Sequence, residues 1–174
     1  MIIVLMGVAG AGKTTVGRLL AERLRWPFFE GDAFHPAENI EKMSRGVALN
    51  DIDRHPWLIA IAARIRELIE RKESAVFSCS ALRAHYRNYL RAGNHPDVQL
   101  VYLQGDEPLI HRRVQTRKEH FFKPEMITSQ FEILEEPEDA FTVSAQLPPN
   151  EIVSRVLEHF GLGEKIEDRG SSIF

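Results

Sequence analysis

Residues 7–14 have the composition and spacing of a phosphate-binding loop. They match G-x-x-x-x-G-K-T and directly follow the apolar run 2–6. Glycine backbone can turn with positive φ and bring N–H groups against phosphate oxygens. Lys13 is expected to reach the β- and γ-phosphates, and the Thr14 hydroxyl is expected to bind Mg²⁺. The residues predicted to hold a nucleoside triphosphate are Gly7, Val8, Ala9, Gly10, Ala11, Gly12, Lys13, Thr14 and Thr15.

A glycine-rich turn that binds nothing is the alternative interpretation of residues 7–14. The buried strand expected before the loop and the amphipathic helix expected after it favour the phosphate site. The first turn of that helix would add its positive dipole end to the site. The sequence therefore predicts a nucleotide-binding protein.

The composition of the chain is that of an ordinary globular protein. Its 174 residues suffice for one domain with a sizeable core. A net charge of −3 argues against a dedicated nucleic-acid binder. The single cysteine, Cys79, excludes an internal disulfide and fits a reducing, cytoplasmic compartment. The first apolar run has only five residues, so we interpret it as a strand rather than a signal peptide, and we expect no membrane partner.

Apolar runs alternate with helical patterns along the chain. Short apolar runs predict strands at residues 2–6, 27–30, 75–79, 98–103 and 141–143. Apolar residues at helical spacing predict helices at 13–24, 58–69, 84–91, 107–117 and 152–160. This alternation predicts an α/β fold with a three-layer, doubly wound parallel sheet of five strands, with ligands at the carboxyl ends of the strands. We expect residues 1–162 to form one domain and residues 163–174 to form a mobile tail.

Absent motifs narrow the class of nucleotide-binding protein. The chain contains no N-K-x-D sequence, which guanine-selective GTPases use, and no L-S-G-G-Q sequence of transporter ATPases. It is also short for a motor or a helicase. The arginine-rich segment 107–117 favours a small-molecule kinase with a helical lid at about 113–128 that closes over ATP.

Three longer motifs refine this prediction. They are G-D-x-x-H-P at 31–36, D-x-D-R-x-P-W-L at 51–58 and C-S-A-L-R at 79–83. With these motifs in this order, the chain from residue 2 to about residue 160 resembles the gluconate kinases, which are phosphate-loop kinases related to shikimate kinase and similar in fold to nucleoside monophosphate kinases. Alanine stands at positions 9 and 11, where the family usually has serine, and at position 48, where it usually has proline.

The resemblance implies ATP-dependent phosphorylation of D-gluconate at its terminal hydroxyl, with Mg²⁺, by a homodimer. Two alternatives remain open at this point. The first is a kinase for another small acceptor, such as shikimate or a nucleoside monophosphate. The second is a nucleotide-binding regulator without catalysis, which the presence of Lys13, Thr14, Asp32 and Arg117 argues against.

The resemblance also implies roles for residues around the acceptor. Asp32 corresponds to the aspartate of shikimate kinases that hydrogen-bonds the acceptor hydroxyl, although an aspartate before a turn can also cap a helix. Arg54 resembles their carboxylate-binding arginine, and Arg83 is the second choice. The other predicted substrate-binding residues are His35, Ser80 and His120.

The remaining candidates concern the metal and the lid. Glu30, at the end of the second strand, is expected to hold a metal-bound water or, alternatively, to cap the following loop. Arg117 is expected to stabilise the charge on the transferring phosphoryl group, and Arg113 to contact adenine or the α- and β-phosphates. A solvated, charged helix face is the alternative for both arginines.

Overall fold

Five parallel strands form the centre of the protein. The computed structural model describes residues 1–91, 95–116 and 124–163. The strands are β1 (Ile2–Met6), β2 (Phe28–Glu30), β3 (Ala75–Ser78), β4 (Val98–Gln104) and β5 (Phe141–Ser144). Their order in the sheet is β2-β3-β1-β4-β5, and every neighbouring pair is parallel. The predicted five-stranded parallel sheet is confirmed.

Helices cover both faces of this sheet. Within the described ranges they are α1 (Lys13–Leu24), α2 (Ala37–Ser44), α3 (Asp51–Glu70), α4 (Ala84–Leu90), α5 (Glu107–Thr116), α6 (Pro124–Ile133) and α7 (Pro149–His159). A short 3₁₀ helix, Gly31–Phe34, follows β2 directly. None of the helices in these ranges has the length and apolar character needed to cross a membrane.

Side chains of β1 point alternately to the two faces of the sheet, and the core accordingly has two layers. Ile3 and Leu5 belong to one buried cluster, which the helices α1, α5, α6 and α7 complete. Ile2, Val4 and Met6 belong to a second buried cluster, which α3 and α4 complete. Successive residues of a strand point to opposite faces, so an entirely apolar strand is required where both faces are covered. The predicted three-layer architecture is therefore confirmed.

The start of α3 differs from the prediction. The apolar stripe predicts a helix that begins near Trp57, but α3 begins at Asp51. The Asn50 side chain accepts a hydrogen bond from the Asp53 N–H at 2.9 Å, and the Asp53 carboxylate accepts one from the Asn50 N–H at 3.1 Å. This reciprocal cap starts the helix before its apolar face begins. As a result Arg54 lies in the first turn of α3.

Candidate active site

The phosphate-binding loop joins β1 to α1 as predicted. Gly7, Gly10 and Gly12 all have positive φ, at 141°, 85° and 100°. A Cβ at Gly7 would also lie 2.8 Å from the carbonyl oxygen of Leu103 on β4. The loop conformation therefore depends on glycine at these positions. The Lys13 ammonium donates hydrogen bonds to the carbonyls of Gly7 and Val8, both at 2.9 Å, which holds it over the loop.

A cavity of about 180 Å³ joins this loop to the segments that follow β2 and β3. It lies at the carboxyl ends of the strands, as expected for a doubly wound sheet. Ten of the predicted site residues line it: Ala9, Gly10, Gly12, Lys13, Thr14, Glu30, Asp32, His35, Arg54 and Ser80. The structure thus brings together residues from four separate segments of the chain.

Several lining residues were not predicted from the sequence. They are Met43, Ala48, Leu49, Trp57, Leu82, Ser129 and Gln130. Gln130, on α6, accepts a hydrogen bond from the Ala9 N–H at 2.7 Å and so ties α6 to the phosphate-binding loop. Residues 129–131 are also part of the resemblance to the gluconate kinases, and this is the signal of Gln130 in the sequence, because a glutamine on a helix has no distinctive chemistry.

Gly31 allows the turn after β2 to lie directly against β3. A Cβ at this position would lie 2.1 Å from the carbonyl oxygen of Ser78. The Gly31 N–H donates to the Ser78 hydroxyl at 3.2 Å, and its carbonyl accepts from the Trp57 indole N–H at 2.7 Å. The His35 ring stacks on that indole with centroids 4.3 Å apart. These contacts explain why glycine and histidine occur together in the G-D-x-x-H-P motif.

The carboxylates of Asp32 and Glu30 have different surroundings. Asp32 is exposed on the 3₁₀ helix, and its carboxylate has no hydrogen-bond partner among the described residues. It caps no described helix, since Glu30 precedes the 3₁₀ helix and Pro36 precedes α2. Glu30 accepts a hydrogen bond from the Ser78 hydroxyl and makes no capping bond with its side chain. Both carboxylates therefore face the cavity rather than stabilising a helix end.

Arg54 reaches the cavity from α3 and is oriented by Tyr86. Its Nη1 donates to the Tyr86 hydroxyl at 3.3 Å, and that hydroxyl donates to Asp51. The Arg54 side chain is only 17% exposed. The hydrogen bond from Tyr86, with help from nearby cations, holds the pKa of Asp51 below its usual range. Asp51 is therefore an anion that fixes Arg54 through Tyr86.

Arg83 lies outside this cavity. Its Nη1 donates to Asp51 at 3.0 Å, and neither of these residues lines the cavity. Thr15 is exposed and also lies outside the lining. The structure places Arg54, but not Arg83, on the cavity, and a direct role of either arginine in substrate binding stays a prediction.

Arg113 ties the phosphate-binding loop to the segment after β5. Its guanidinium donates to the carbonyl of Ala145 at 2.6 Å and to that of Ala11 at 3.4 Å. Contact with adenine or phosphate stays a prediction. Arg117 and His120 lie outside the described residues, and so does part of the predicted lid, so their roles stay predictions as well.

Burial lowers the pKa of His35 below its ordinary value of 6.5. The nearby Arg54 lowers the His35 pKa further, and Asp32 acts in the opposite direction. The ring is therefore held in its neutral form, as a side chain for hydrogen bonding rather than for charge.

The donor set at the cavity fits Mg²⁺ better than a transition metal. Among the described residues, no group of three or more His, Cys, Asp or Glu side chains is placed to hold a metal ion. Thr14 and Glu30 supply oxygen atoms at the same cavity. Mg²⁺ typically takes one or two protein oxygens, with water and phosphate oxygens as its other ligands.

The parallel sheet carries a phosphate-binding loop beside a cavity. That cavity holds a carboxylate with no hydrogen-bond partner among the described residues and an arginine oriented by Tyr86. Together these features define a phosphate-loop kinase for a small acceptor. A family model for shikimate kinase matches residues 9–160. Two curated relatives and one solved structure refine this class.

The thermoresistant gluconokinase of Escherichia coli (strain K12) is 42% identical over 161 residues, with 90% of this chain and 91% of that protein covered. The gluconokinase of Gluconobacter oxydans (strain 621H) is 40% identical, with 91% and 90% covered. A crystal structure of a gluconokinase from Sinorhizobium meliloti 1021 has a TM-score of 0.81 and 41% identity, with 95% and 93% covered. The chain belongs to the gluconokinase family. Membership of a kinase family implies the use of ATP.

The lowered pKa of His35 predicts a pH-dependent part of the stability. Because the unfolded chain takes up this proton at a higher pH than the folded chain, acidification through the ordinary histidine pKa favours unfolding. We expect the free energy of unfolding to fall more for the wild type than for His35→Gln between about pH 7.5 and about pH 5.5. Urea unfolding followed by circular dichroism measures both proteins, and equal losses would contradict the prediction.

Proposed function

We propose that this protein transfers the γ-phosphoryl group of ATP to the terminal hydroxyl of D-gluconate, giving 6-phospho-D-gluconate and ADP. The observation that carries the proposal is that the phosphate-binding loop, Asp32 and Arg54 line one cavity. Relatives named gluconokinase that match about nine-tenths of the chain support the same acceptor.

The loop side of the cavity suits the phosphates of ATP. Phosphoryl transfer needs positioning and charge neutralisation more than covalent chemistry. The amino end of α1, whose first backbone N–H groups have no partner within the helix, and the Lys13 ammonium supply positive charge. Thr14 and Glu30 would hold Mg²⁺, which neutralises negative charge on the phosphates when bound.

Asp32 suits the reacting hydroxyl of the acceptor. Its carboxylate faces the cavity and is unpaired among the described residues, so it can accept a hydrogen bond from a substrate hydroxyl. In this position it orients the hydroxyl toward the phosphate side and takes up its proton as the new P–O bond forms.

Arg54 suits the carboxylate of an aldonic acid. A guanidinium carries five N–H donors, and the hydrogen bond and ion pair that the described residues make with Arg54 use only its Nη1 group. Its low exposure strengthens the attraction to a substrate carboxylate, because the charge is partly removed from water. A sugar acid is therefore favoured over a neutral sugar. The homodimer and the cytoplasmic location stay predictions.

A panel of acceptors tests the proposed reaction directly. In a coupled assay of ADP release, the protein with ATP and Mg²⁺ should turn over D-gluconate and hardly any shikimate or nucleoside monophosphate. Turnover of one of those acceptors instead of gluconate would replace the proposed substrate. ATP binding without ADP release with any aldonic acid would show a regulator rather than an enzyme.

Replacing the Asp32 carboxylate tests its role in the chemical step. Asp32→Asn keeps the shape but removes the proton acceptor, so we expect kcat to fall about 100-fold or more. The KM for gluconate should change far less, because a hydrogen bond to the substrate is retained. Asp97→Asn is the control, since Asp97 is exposed before β4 at the opposite end of the sheet. A near-normal kcat in Asp32→Asn would reject the role.

Paired arginine substitutions test which cation binds the substrate carboxylate. Arg54→Lys should raise the KM for gluconate about 10-fold to 100-fold, because a charge-assisted hydrogen bond is lost or weakened. The KM for ATP should stay close to that of the wild type. Arg83→Lys is the matched control and should have the smaller effect, because Arg83 lies outside the cavity. The reverse order of the two effects would assign the carboxylate to Arg83.

A further inference from the structure

Asn39 is a buried amide that connects α2 to the acceptor side of the cavity, the part lined by Asp32, His35 and Arg54. It is 3% exposed and does not itself line the cavity. Its Nδ2 donates to the backbone carbonyl of Asp53 at 2.7 Å and lies 3.2 Å from His35 Nδ1. A buried polar side chain that contacts a cavity residue can determine where that residue carries its proton.

The bond to Asp53 determines which end of the Asn39 amide faces His35. A backbone carbonyl only accepts hydrogen bonds, so the Asn39 atom that meets it is the NH₂ group. The same NH₂ group faces His35 Nδ1. Since it can only donate there, Nδ1 must present its lone pair, and the proton of the neutral ring must be on Nε2.

The orientation of the ring is set independently by Trp57. The two rings stack with centroids 4.3 Å apart and planes 14° apart, and the indole is held by its hydrogen bond to Gly31. With Nδ1 engaged by Asn39, the Nε2–H is the remaining polar group of a ring that lines the cavity.

The charged groups around His35 have opposite effects on the pKa of its ring. Asp32 on the 3₁₀ helix favours an imidazolium, whereas burial and Arg54 on α3 oppose it. The charges of Lys42 on α2 and Asp53 on α3 are paired with each other at 2.6 Å. An imidazolium would also place an Nδ1–H against the Asn39 NH₂ group, two donors facing each other. Asn39 therefore resists the protonation that Asp32 favours.

We propose that Asn39 is a positioning residue that keeps His35 neutral with its proton on Nε2, so that the cavity presents a hydrogen-bond donor to a hydroxyl oxygen of the acceptor. The nature of this acceptor rests on the proposed function. Asp32 then accepts a hydrogen bond from one hydroxyl of the acceptor, and His35 donates a hydrogen bond to another. This pairing favours a polyol, whose hydroxyls can do both.

Nitrogen-15 NMR of the histidine side chains tests the tautomer without any substrate. The His35 signals are assigned by their loss in His35→Gln. In the wild type near neutral pH, Nδ1 should have the shift of an unprotonated nitrogen and Nε2 that of a protonated one. A protonated Nδ1 would overturn the proposal, and this measurement does not depend on any variant of Asn39.

Variants of Asn39 test whether it causes the tautomer. Asn39→Leu should remove the preference of His35 for the Nε2–H tautomer and give a mixture of the two tautomers. Asn39→Asp should favour the doubly protonated His35 ring at neutral pH. Asn150→Asp, an exposed site on α7, is the matched control and should leave the His35 signals unchanged. Unchanged His35 signals in a folded Asn39→Leu would overturn the positioning role.

Kinetics test the use of the Nε2–H donor. His35→Leu should raise the KM for gluconate about 10-fold with a smaller change in kcat, whereas His35→Gln, which carries an NH₂ donor, should restore much of the affinity. Equal KM values in these two variants would overturn the donor role. If gluconate is not turned over by the wild type, the proposed function fails, whereas the NMR result still decides the tautomer.

Discussion

The contact between Gly31 and the end of β3 fixes the acceptor side of the cavity. With the Gly31 α-carbon so close to the Ser78 carbonyl, no side chain fits at this position. The turn is held from the other side by the Trp57 indole N–H. Asp32 and His35 lie within four residues after Gly31. Trp57 belongs to α3, so its hydrogen bond to Gly31 also positions this helix. The placement of both the carboxylate and the imidazole therefore follows from one close backbone approach.

The electrostatics of the acceptor side depend on Asp51, an anion that lies outside the cavity. Asp51 receives hydrogen bonds from Tyr86 and Arg83 and lies 3.9 Å from Arg54. The partly buried Arg54 thus has a counter-charge behind it, which offsets part of its desolvation. The Tyr86 hydroxyl links the two charges, and only Nη1 of Arg54 approaches Asp51 directly. The other N–H donors of Arg54 have no hydrogen-bond partner among the described residues, so they can serve the cavity that this side chain lines.

Local patterns in the sequence predicted the sheet, the phosphate-binding loop and most helices, because each depends on residues close together in the chain. The helix α2 was missed because a helix of eight residues with two large apolar side chains is too short for a recognisable periodic pattern, and α6 because its first half falls within the predicted lid. The contacts of Gln130 with Ala9 and of Asn39 with Asp53 and His35 were also missed. They join residues whose proximity is created only by the fold, and no short motif records them.

The phosphate side and the acceptor side of the cavity differ in how far they depend on backbone groups and on side chains. The phosphate side relies largely on the backbone, through the glycine φ angles and the amino end of α1, together with the Lys13 and Thr14 side chains. Alanine at positions 9 and 11, where the family usually has serine, leaves those groups intact. The acceptor side relies on side chains, namely Asp32, His35 and Arg54. Substitutions there change which hydrogen bonds and charges a substrate meets, so acceptor choice can diverge among kinases that keep the same phosphate-binding loop.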